Sequence, residues 1–227
     1  MNTLTTAPVA DVLGRLFHEA QIADGPMIAS MLKDDAAGVD LLSDVLEAEA
    51  RDYHGLYHEA VENFLNVTPE FGRLLYICAR TRNACRIVEF GTSFGISTIH
   101  LACALRDNGG GTVVGTELEP TKVARAYGHL EAAGLADLVE IRVGDALDTL
   151  RGSFGGPIDL VHLDGAFSLY LPVLTLLEPH LQPNALVLAE NGTKNYLDYV
   201  RNPVNGYLSV PVPFGQGRGN EISLFTR

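Results

Sequence analysis

Residues 86–97 read RIVEFGTSFGIS, a short apolar run followed by a glycine turn and the start of a helical stretch. Glycine lets the backbone approach a ligand closely, and the first turn of a helix leaves N–H groups free to bind it. A dinucleotide-binding turn would read G-x-G-x-x-G, whereas three residues separate Gly91 from Gly95. Glu89, two residues before the first glycine, would repel a pyrophosphate but can accept from an ammonium group. On the glycines alone, a ligand-binding turn and a simple tight turn are equally supported.

After this turn the chain alternates between short apolar runs and amphipathic stretches. Further runs rich in Val and Ile lie at 112–117, 139–143, 158–163 and 185–189, with helical stretches at 97–107, 120–133, 146–151 and 170–178. Such runs are typical of strands buried on both faces of a parallel sheet. The ending differs, because YLSVPV (207–212) and EISLFT (221–226) flank a glycine-rich turn at 215–219. The pattern predicts an α/β fold with a Rossmann-like, doubly wound, seven-stranded sheet and a terminal antiparallel hairpin.

The N-terminal part of the chain has a different pattern. Residues 1 to about 84 show helical periodicity without a hairpin signal, and Pro8 can open a first helix whose apolar face carries Val9, Val12, Leu13, Leu16 and Phe17. We divide the chain into a helical segment, 1–65, and a ligand-binding domain, 66–227. The apolar stripes of the first segment need a partner surface. We therefore expect it to form a lid over the site or to pack against a second subunit in a dimer.

The composition limits the possible partners and location of the protein. With 16 Lys and Arg against 28 Asp and Glu the net charge is −12, which disfavours binding to nucleic acid or to anionic membranes. No apolar run approaches the roughly 18 residues of a membrane span, and no signal peptide is recognisable. Cys78, Cys85 and Cys103 are odd in number and lack metal-binding spacing. We expect a cytoplasmic protein that acts on a small molecule.

Two further acidic residues follow strands of the predicted sheet. Glu117 ends the second run, where a carboxylate can accept both hydroxyls of a ribose. Asp145 follows the third run in Gly144-Asp145-Ala146, where it can accept from an adenine amino group. Taken singly, Glu117 fits a solvated acid at a strand end, and Asp145 fits a helix N-cap. Because three such sites follow successive strands and line one crevice, together they indicate a nucleoside-bearing cofactor.

The motifs EFGTSFGIS, TELEP, GDA and HLDG resemble those of the S-adenosylmethionine-dependent methyltransferases of class I. More closely, they resemble the catechol and caffeoyl-CoA type of small-molecule O-methyltransferase, over about residues 64–227. The resemblance implies that the methionine part of the cofactor is held by Glu89, Gly91 and Ser97 and bordered by Asn66 and Val67. It also implies that the remaining cofactor contacts come from Ser93 in the same turn, Glu117 at the ribose, and Asp145 and Ala146 at the adenine.

A fourth group of polar residues follows the fourth and fifth strands. Asp164, Glu190 and Asn191 would bring two carboxylates and an amide oxygen together, a set suited to Mg²⁺ or Mn²⁺. The resemblance implies a metal at these positions, although the related family usually has Asp where this chain has Glu190. The lysine base of that family is replaced by Phe167. The alternative is a metal-free acceptor pocket in which Asp164 borders the cofactor.

Three histidines are candidates for proton transfer or cofactor contact. His54 and His58 lie one helical turn apart and fit either a base over the active site or a solvated helix face. His162 points to the same face of its strand as Asp164 and fits a cofactor contact or a satisfied core histidine. The catalytic candidates are therefore Asp164, His54 and His58.

The most favoured function is an S-adenosylmethionine-dependent O-methyltransferase that acts, with metal assistance, on a hydroxyl of a phenolic or polyhydroxylated natural product. A metal-independent enzyme that uses His54, His58 or Tyr170 as its base is the alternative within the same class. A non-catalytic protein that retains the cofactor fold is the alternative outside it. A nicotinamide oxidoreductase is disfavoured by the glycine pattern and the terminal hairpin.

Overall fold

The computed structural model describes residues 2–36, 40–214 and 219–227. The predicted glycine-rich turn at 215–219 falls mostly outside this part of the chain, so its conformation stays a prediction. Among the described helices, none is long and apolar enough to cross a membrane.

Seven strands form one sheet. They are β1 Arg86–Phe90, β2 Thr112–Glu117, β3 Val139–Val143, β4 Ile158–Leu163, β5 Leu181–Ala189, β6 Tyr207–Pro211 and β7 Glu221–Phe225. Their order is β3-β2-β1-β4-β5-β7-β6; the first five run parallel, and β7 pairs antiparallel with both β5 and β6. The predicted doubly wound sheet with its terminal antiparallel pair is confirmed. The fifth strand begins at Leu181, earlier than the predicted run at 185–189.

Eight helices accompany the sheet in the described residues. They are α1 Val9–Ala36, α2 Leu41–Glu59, α3 Pro69–Thr81, α4 Ile96–Asn108, α5 Pro120–Ala132, α6 Ala146–Thr149, α7 Tyr170–Leu177 and α8 Lys194–Val200. Short 3₁₀ turns occupy Thr3–Thr5, Ala136–Leu138, Phe167–Leu169, Glu178–His180 and Pro203–Asn205. The predicted crossover helices are present, whereas α8 was not predicted, because so short a helix gives little periodic signal.

The sheet has a hydrophobic core on each face. Successive residues of β1 point to opposite faces, so Ile87 belongs to one core and Val88 to the other. The first core takes apolar side chains from α1, α3, α4 and α5, and the second takes them from α6, α7 and α8. Both faces of the parallel strands are therefore covered, which explains their continuous apolar character.

The first half of α1 is part of the first core. Its predicted apolar face is confirmed, because Val9, Val12, Leu13 and Leu16 are each at most 7% exposed and pack in the same cluster as α4. The start of the chain therefore supports the sheet domain itself.

The helix α2 is broken at Asp52, where the backbone is extended with φ −163° and ψ 84°. The Asp52 carboxylate accepts from the backbone N–H of Gly55 at 2.9 Å, as an N-cap does for the helical turn that follows. This second half carries Tyr53 and Tyr57 to a cleft at the carboxyl ends of β2, β3 and β4.

Candidate active site

Two adjoining cavities lie at the carboxyl ends of the parallel strands. The small cavity lies between residues 64–66 and the glycine turn at 91–97. The large cavity lies between α2 and the ends of β2, β3 and β4. Four residues line both cavities: Leu65, Gly91, Ser93 and Asp164. Asp164 therefore stands where the two cavities meet, at the crevice in which open α/β sheets bind ligands.

The glycine turn after β1 has the backbone geometry that its sequence predicts. Gly91 has φ +94°, and a Cβ at this position would collide with the carbonyl oxygen of Asp164. Ser93 adopts φ 47°, and its N–H donates to Oε2 of Glu117 at 2.7 Å while its hydroxyl donates to the carbonyl of Phe64 at 2.7 Å. These bonds join the turn to β2 and to the segment before α3. Ser97, at the start of α4, also lines the small cavity.

Glu89 lies behind the turn, away from both cavity walls. Its Oε2 accepts from the hydroxyls of Thr92 at 3.1 Å and Thr98 at 2.5 Å, while Oε1 is buried without a hydrogen-bond partner in the described part of the chain. Burial raises the pKa of Glu89 to about 7 against these hydrogen bonds. Its predicted contact with the ammonium group of the cofactor stays a prediction.

The residues before α3 contribute unequally to the small cavity. Asn66 lines it and donates from Nδ2 to the carbonyl of Val67 at 2.8 Å. Val67 is fully buried and is absent from the cavity wall. Of the predicted bordering pair, the structure therefore brings Asn66 to the cavity surface.

Glu117 and Asp145 both line the large cavity. The two oxygens of Glu117 accept from the backbone N–H groups of Ser93 and Glu119, the latter at 2.9 Å. Asp145 is the N-cap of α6, since its Oδ1 accepts from the Leu147 N–H at 2.8 Å. The N-cap and the cavity-lining position that the sequence offered as alternatives thus occur together, and Ala146 lies beside it in the same wall.

Asp145 also contacts α2. Its Oδ2 accepts a short hydrogen bond from the Tyr53 hydroxyl and lies 3.1 Å from Nε2 of His54. Burial favours a higher pKa, but the hydrogen bonds from Tyr53 and Leu147 outweigh it and hold the pKa of Asp145 below its ordinary value. The carboxylate is therefore ionised and ties α2 to the end of β3.

Asp164 and Glu190 directly follow the neighbouring strands β4 and β5, and the charge of Glu190 acts on Asp164. Burial raises the pKa of both carboxyls, to about 7 for Glu190 and well above its ordinary value for Asp164, which also feels the charges of Glu190 and Glu89. Two adjacent buried carboxyls resist ionising together, so the pair retains a proton at neutral pH.

Asn191 follows Glu190 in a left-handed conformation with φ 57°, and its N–H donates to Oδ1 of Asn220 at 2.9 Å. Among the described residues, no group of three His, Cys, Asp or Glu side chains could hold a metal ion. A metal at this position would therefore use two carboxylates and the Asn191 amide. This all-oxygen set, with surplus negative charge in Asp164 and Glu190, fits a hard divalent cation.

Two neighbours of the carboxyl pair are unsuited to act as bases. His162 is fully buried, and burial lowers its pKa to about 4; its Nε2 lies 3.9 Å from Oδ2 of Asp164. The Tyr170 hydroxyl donates to the carbonyl of Glu190 at 2.6 Å, and burial holds its pKa well above the ordinary range. Tyr170 thus stays protonated and supports the backbone after β5.

The structure does not bring His54 and His58 to the cavity walls. His54 lies against Asp145, and His58 places Nδ1 3.1 Å from Oε1 of Glu119, with 55% and 74% of their side chains exposed. From the same helix, Tyr53 and Tyr57 line the large cavity. The histidine spacing identified the correct helix but not the side chains that enter the cleft.

A buried lysine escaped the sequence analysis. Lys122 is 4% exposed, lines the large cavity, and donates from Nζ to the carbonyl of Asn63 at 2.8 Å. Burial lowers its pKa, while the charges of Glu117 and Asp24 act in the opposite direction. Nothing in the local sequence indicates that a lysine in the first turn of a helix is buried in a cavity wall, because its partners are distant in the chain.

Comparisons with known proteins agree with the fold. Residues 88–191 match a protein family described as a methyltransferase domain, over a little less than half of the chain. A catechol O-methyltransferase of Mycobacterium tuberculosis is 43% identical over 98 residues, covering 43% of this chain and 44% of that protein. One from Niastella koreensis is 32% identical over 130 residues, covering 56% and 58%. The chain thus spans about half the length of these curated relatives.

Solved structures extend the similarity to most of the chain. The O-methyltransferase TomG from Streptomyces achromogenes, in complex with S-adenosylmethionine, has a TM-score of 0.65 at 28% identity, covering 72% of this chain and 82% of that one. The cofactor-bound protein Rv0187 from MTB has a TM-score of 0.66 at 26% identity, covering 87% and 95%.

The fold and the matched domain point to one class: residues 88–191 match a methyltransferase domain, and the fold is similar to that of an O-methyltransferase solved with S-adenosylmethionine. Within that class it resembles the O-methyltransferases of the catechol type, as the sequence motifs indicated.

Proposed function

We propose that the protein transfers a methyl group from S-adenosylmethionine to a hydroxyl of a small molecule. The position of Asp164 carries this proposal, because it lies between the small cavity beside the glycine turn and the large cavity bordered by Glu117 and Asp145. A methyl donor that spans the first turn and the ends of β2 and β3 would present its reactive centre close to this carboxyl. An acceptor that enters under α2 would meet it there.

The cofactor contacts follow from the walls of the two cavities. Asn66, Gly91 and Ser97 would hold the methionine part in the small cavity. Glu117 would bind the hydroxyls of the ribose. Its oxygens already accept hydrogen bonds from two backbone N–H groups, but each oxygen has a second lone pair for a ribose hydroxyl. Asp145 and Ala146 would border the adenine.

The cofactor supplies a methyl group already activated on its sulfonium sulfur, so the chain must align the acceptor and remove its proton. Asp164 is the carboxyl placed for this task, and the neighbouring charge of Glu190 raises its pKa. A carboxyl whose pKa is raised towards neutrality is a better proton acceptor for a hydroxyl than an ordinary one. His54 and His58, which lie outside the cavity walls, have no part in this proposal.

Asp164, Glu190 and Asn191 would hold a divalent metal ion, such as Mg²⁺ or Mn²⁺. Such an ion would lower the pKa of an acceptor hydroxyl. The surplus charge of the carboxyl pair supports this assignment, while the longer side chain of Glu190 and the absence of a lysine at Phe167 distinguish the site from that of the catechol type.

The acceptor would be a phenolic or polyhydroxylated natural product. Beside Asp164, the wall of the large cavity includes Tyr57, Phe90, Ala166 and Leu169. This wall favours a flat, largely apolar molecule whose hydroxyl reaches Asp164.

The decisive experiment incubates the purified protein with methyl-labelled S-adenosylmethionine and a panel of mono-, di- and polyhydroxylated aromatic compounds. We expect a labelled methyl ether from at least one acceptor and strong loss of turnover in Asp164→Asn, with cofactor affinity nearly unchanged. Cofactor binding without transfer to any acceptor would instead support a non-catalytic protein with this fold.

A further inference from the structure

We infer that Tyr57 determines how the acceptor is bound, and that Glu49 is the positioning residue that fixes Tyr57 and the 166–169 segment in their places. This inference rests on the proposed function, because it assigns roles on the acceptor side of the same cleft. Neither residue showed a signal in the sequence, since both act through contacts across the fold.

Glu49 lies on the first half of α2, before the break at Asp52. It is buried, with only 2% of the residue exposed. Its Oε1 accepts from the Tyr57 hydroxyl at 2.7 Å and from the Phe167 N–H at 2.9 Å, and its Oε2 accepts from the Ser168 N–H at 2.6 Å. A buried carboxylate is costly unless such partners satisfy it. Three donors therefore converge on one side chain, and two of them belong to the loop after Asp164.

This arrangement links two walls of the large cavity. Glu49 accepts hydrogen bonds from two backbone N–H groups, and Ala166 and Leu169 stand on either side of them in the chain. Both Ala166 and Leu169 line the large cavity. Tyr57, on α2, lines the same cavity. Glu49 thereby ties α2 to the loop after β4, and both border the space available to an acceptor.

The orientation of the Tyr57 hydroxyl determines what it offers to a ligand. Its hydrogen is used in the bond to Glu49, so its oxygen keeps lone pairs that can accept a further hydrogen bond. The ring lies in the same cavity wall as Asp164. An acceptor held against Asp164 would therefore meet an aromatic face and one hydrogen-bond acceptor, both fixed by Glu49.

The same helix supplies a matched control. Tyr53 lies one helical turn before Tyr57, but its hydroxyl donates to Asp145, on the adenine side of the cavity. Both tyrosines contribute a ring to the cavity and a hydroxyl bonded to a carboxylate. They differ in which side of the cleft they face, so replacing each by Phe should affect different ligands.

The test compares Tyr57→Phe, Tyr53→Phe and Glu49→Gln with the wild-type protein in full-length chains, using an acceptor that the wild type methylates. The readouts are acceptor KM, kcat, the Kd for S-adenosylmethionine from calorimetry, and Tm. We expect Tyr57→Phe to raise acceptor KM about tenfold, the effect of one lost hydrogen bond, with cofactor Kd changed less than twofold. Tyr53→Phe should instead raise the Kd for S-adenosylmethionine about tenfold and change acceptor KM less than twofold.

Glu49→Gln should change acceptor KM in the same direction as Tyr57→Phe, because one amide cannot accept from all three donors. If this variant fails to fold, Tyr57→Phe alone decides, since it keeps the ring and its packing. Unchanged acceptor KM and kcat in Tyr57→Phe, or an equal rise in cofactor Kd, would overturn the inference while leaving the proposed function intact. Absence of turnover in the wild type would overturn the proposed function and the inference with it.

Discussion

The carboxyl groups of Asp164 and Glu190 are neighbours at one edge of the sheet although they follow different strands, β4 and β5. Parallel pairing sets Leu163 beside Ala189, so the residue that follows each strand reaches the same edge of the sheet. Burial and the neighbouring charges of Glu190 and Glu89 then keep a proton on the pair by raising the pKa of Asp164. A cation would relieve the same repulsion, which gives the proposed metal site a physical basis in this chain.

Metal dependence is the first expected consequence. Addition of EDTA should abolish most of the methyl transfer, and Mn²⁺ or Mg²⁺ should restore it. Titration of Mn²⁺ into the wild type should show one site, because the cation replaces the shared proton of the Asp164–Glu190 pair. Measured at two buffer ionisation enthalpies, this binding should release a proton.

Variants of Glu190 separate charge from length at the proposed site. Glu190→Asp keeps the charge and should retain Mn²⁺ binding, whereas Glu190→Gln should weaken it strongly. Full activity in excess EDTA, with equal Mn²⁺ binding in the wild type and in Glu190→Gln, would assign proton removal to Asp164 without a metal.

The cofactor assignment depends on Glu117. Glu117→Ala should raise the Kd for S-adenosylmethionine by about 10- to 150-fold, because hydrogen bonds to a charged group contribute about 1.5–3 kcal/mol. Glu131→Ala is the matched control, since this glutamate is exposed on α5. Calorimetric titration is the measurement. Undiminished affinity in Glu117→Ala, or tighter binding of NAD than of S-adenosylmethionine, would contradict the assignment.

The sequence predicted the parts of the site that depend on local pattern. Val- and Ile-rich runs located β1 to β4, and the strand ends then placed Glu117, Asp145 and Asp164 in one crevice. Contacts between distant segments could not be predicted in this way. Tyr53 and Asp145 are 92 positions apart, and Glu49 and Ser168 are 119 apart, so no local spacing pattern indicates either contact.

Residues 1–65 also contact the segment beside the small cavity, while the lid expected over the acceptor stays a prediction. Asp24 of α1 is 4% exposed, and its carboxylate accepts from the N–H groups of Phe64 at 2.9 Å and Leu65 at 2.8 Å. Those residues line the small cavity, where the methionine part of the cofactor would bind. The segment therefore supports the cofactor side as well, and its removal would also expose the part of the first core that α1 covers.

A substitution at Asp24 tests this support. Asp24→Asn should lower the free energy of unfolding by about 1–3 kcal/mol, because an amide leaves one buried N–H donor facing its own NH₂ group. It should also raise the Kd for S-adenosylmethionine. Glu19→Gln, at an exposed position of α1, should change the unfolding energy by less than about 0.5 kcal/mol. Denaturant unfolding and calorimetry measure both; a normal cofactor Kd in a destabilised Asp24→Asn would confine Asp24 to a structural role.

Glu89 should make the stability of the protein depend on pH in a defined direction. Burial raises the pKa of its folded state from 4.5 to about 7, so the folded protein binds a proton that the unfolded chain releases over this range. Stability from this group is complete below pH 4.5 and declines as the pH rises to about 7, by at most about 1.4 kcal/mol per pH unit.

The Glu89→Gln variant removes this dependence while leaving the Asp164–Glu190 pair, whose titration has the same sign, in both proteins. The difference in unfolding free energy between the variant and the wild type should therefore shift in favour of the variant between pH 5 and pH 7. Urea unfolding in EDTA at several pH values measures it, with Glu140→Gln as the control because that carboxyl is 54% exposed. Parallel stability curves for Glu89→Gln and the wild type would show that Glu89 is ionised in the folded protein. Its Oε1, which has no hydrogen-bond partner among the described residues, would then require a cation or a donor from the cofactor, as the ammonium contact predicted for it would provide.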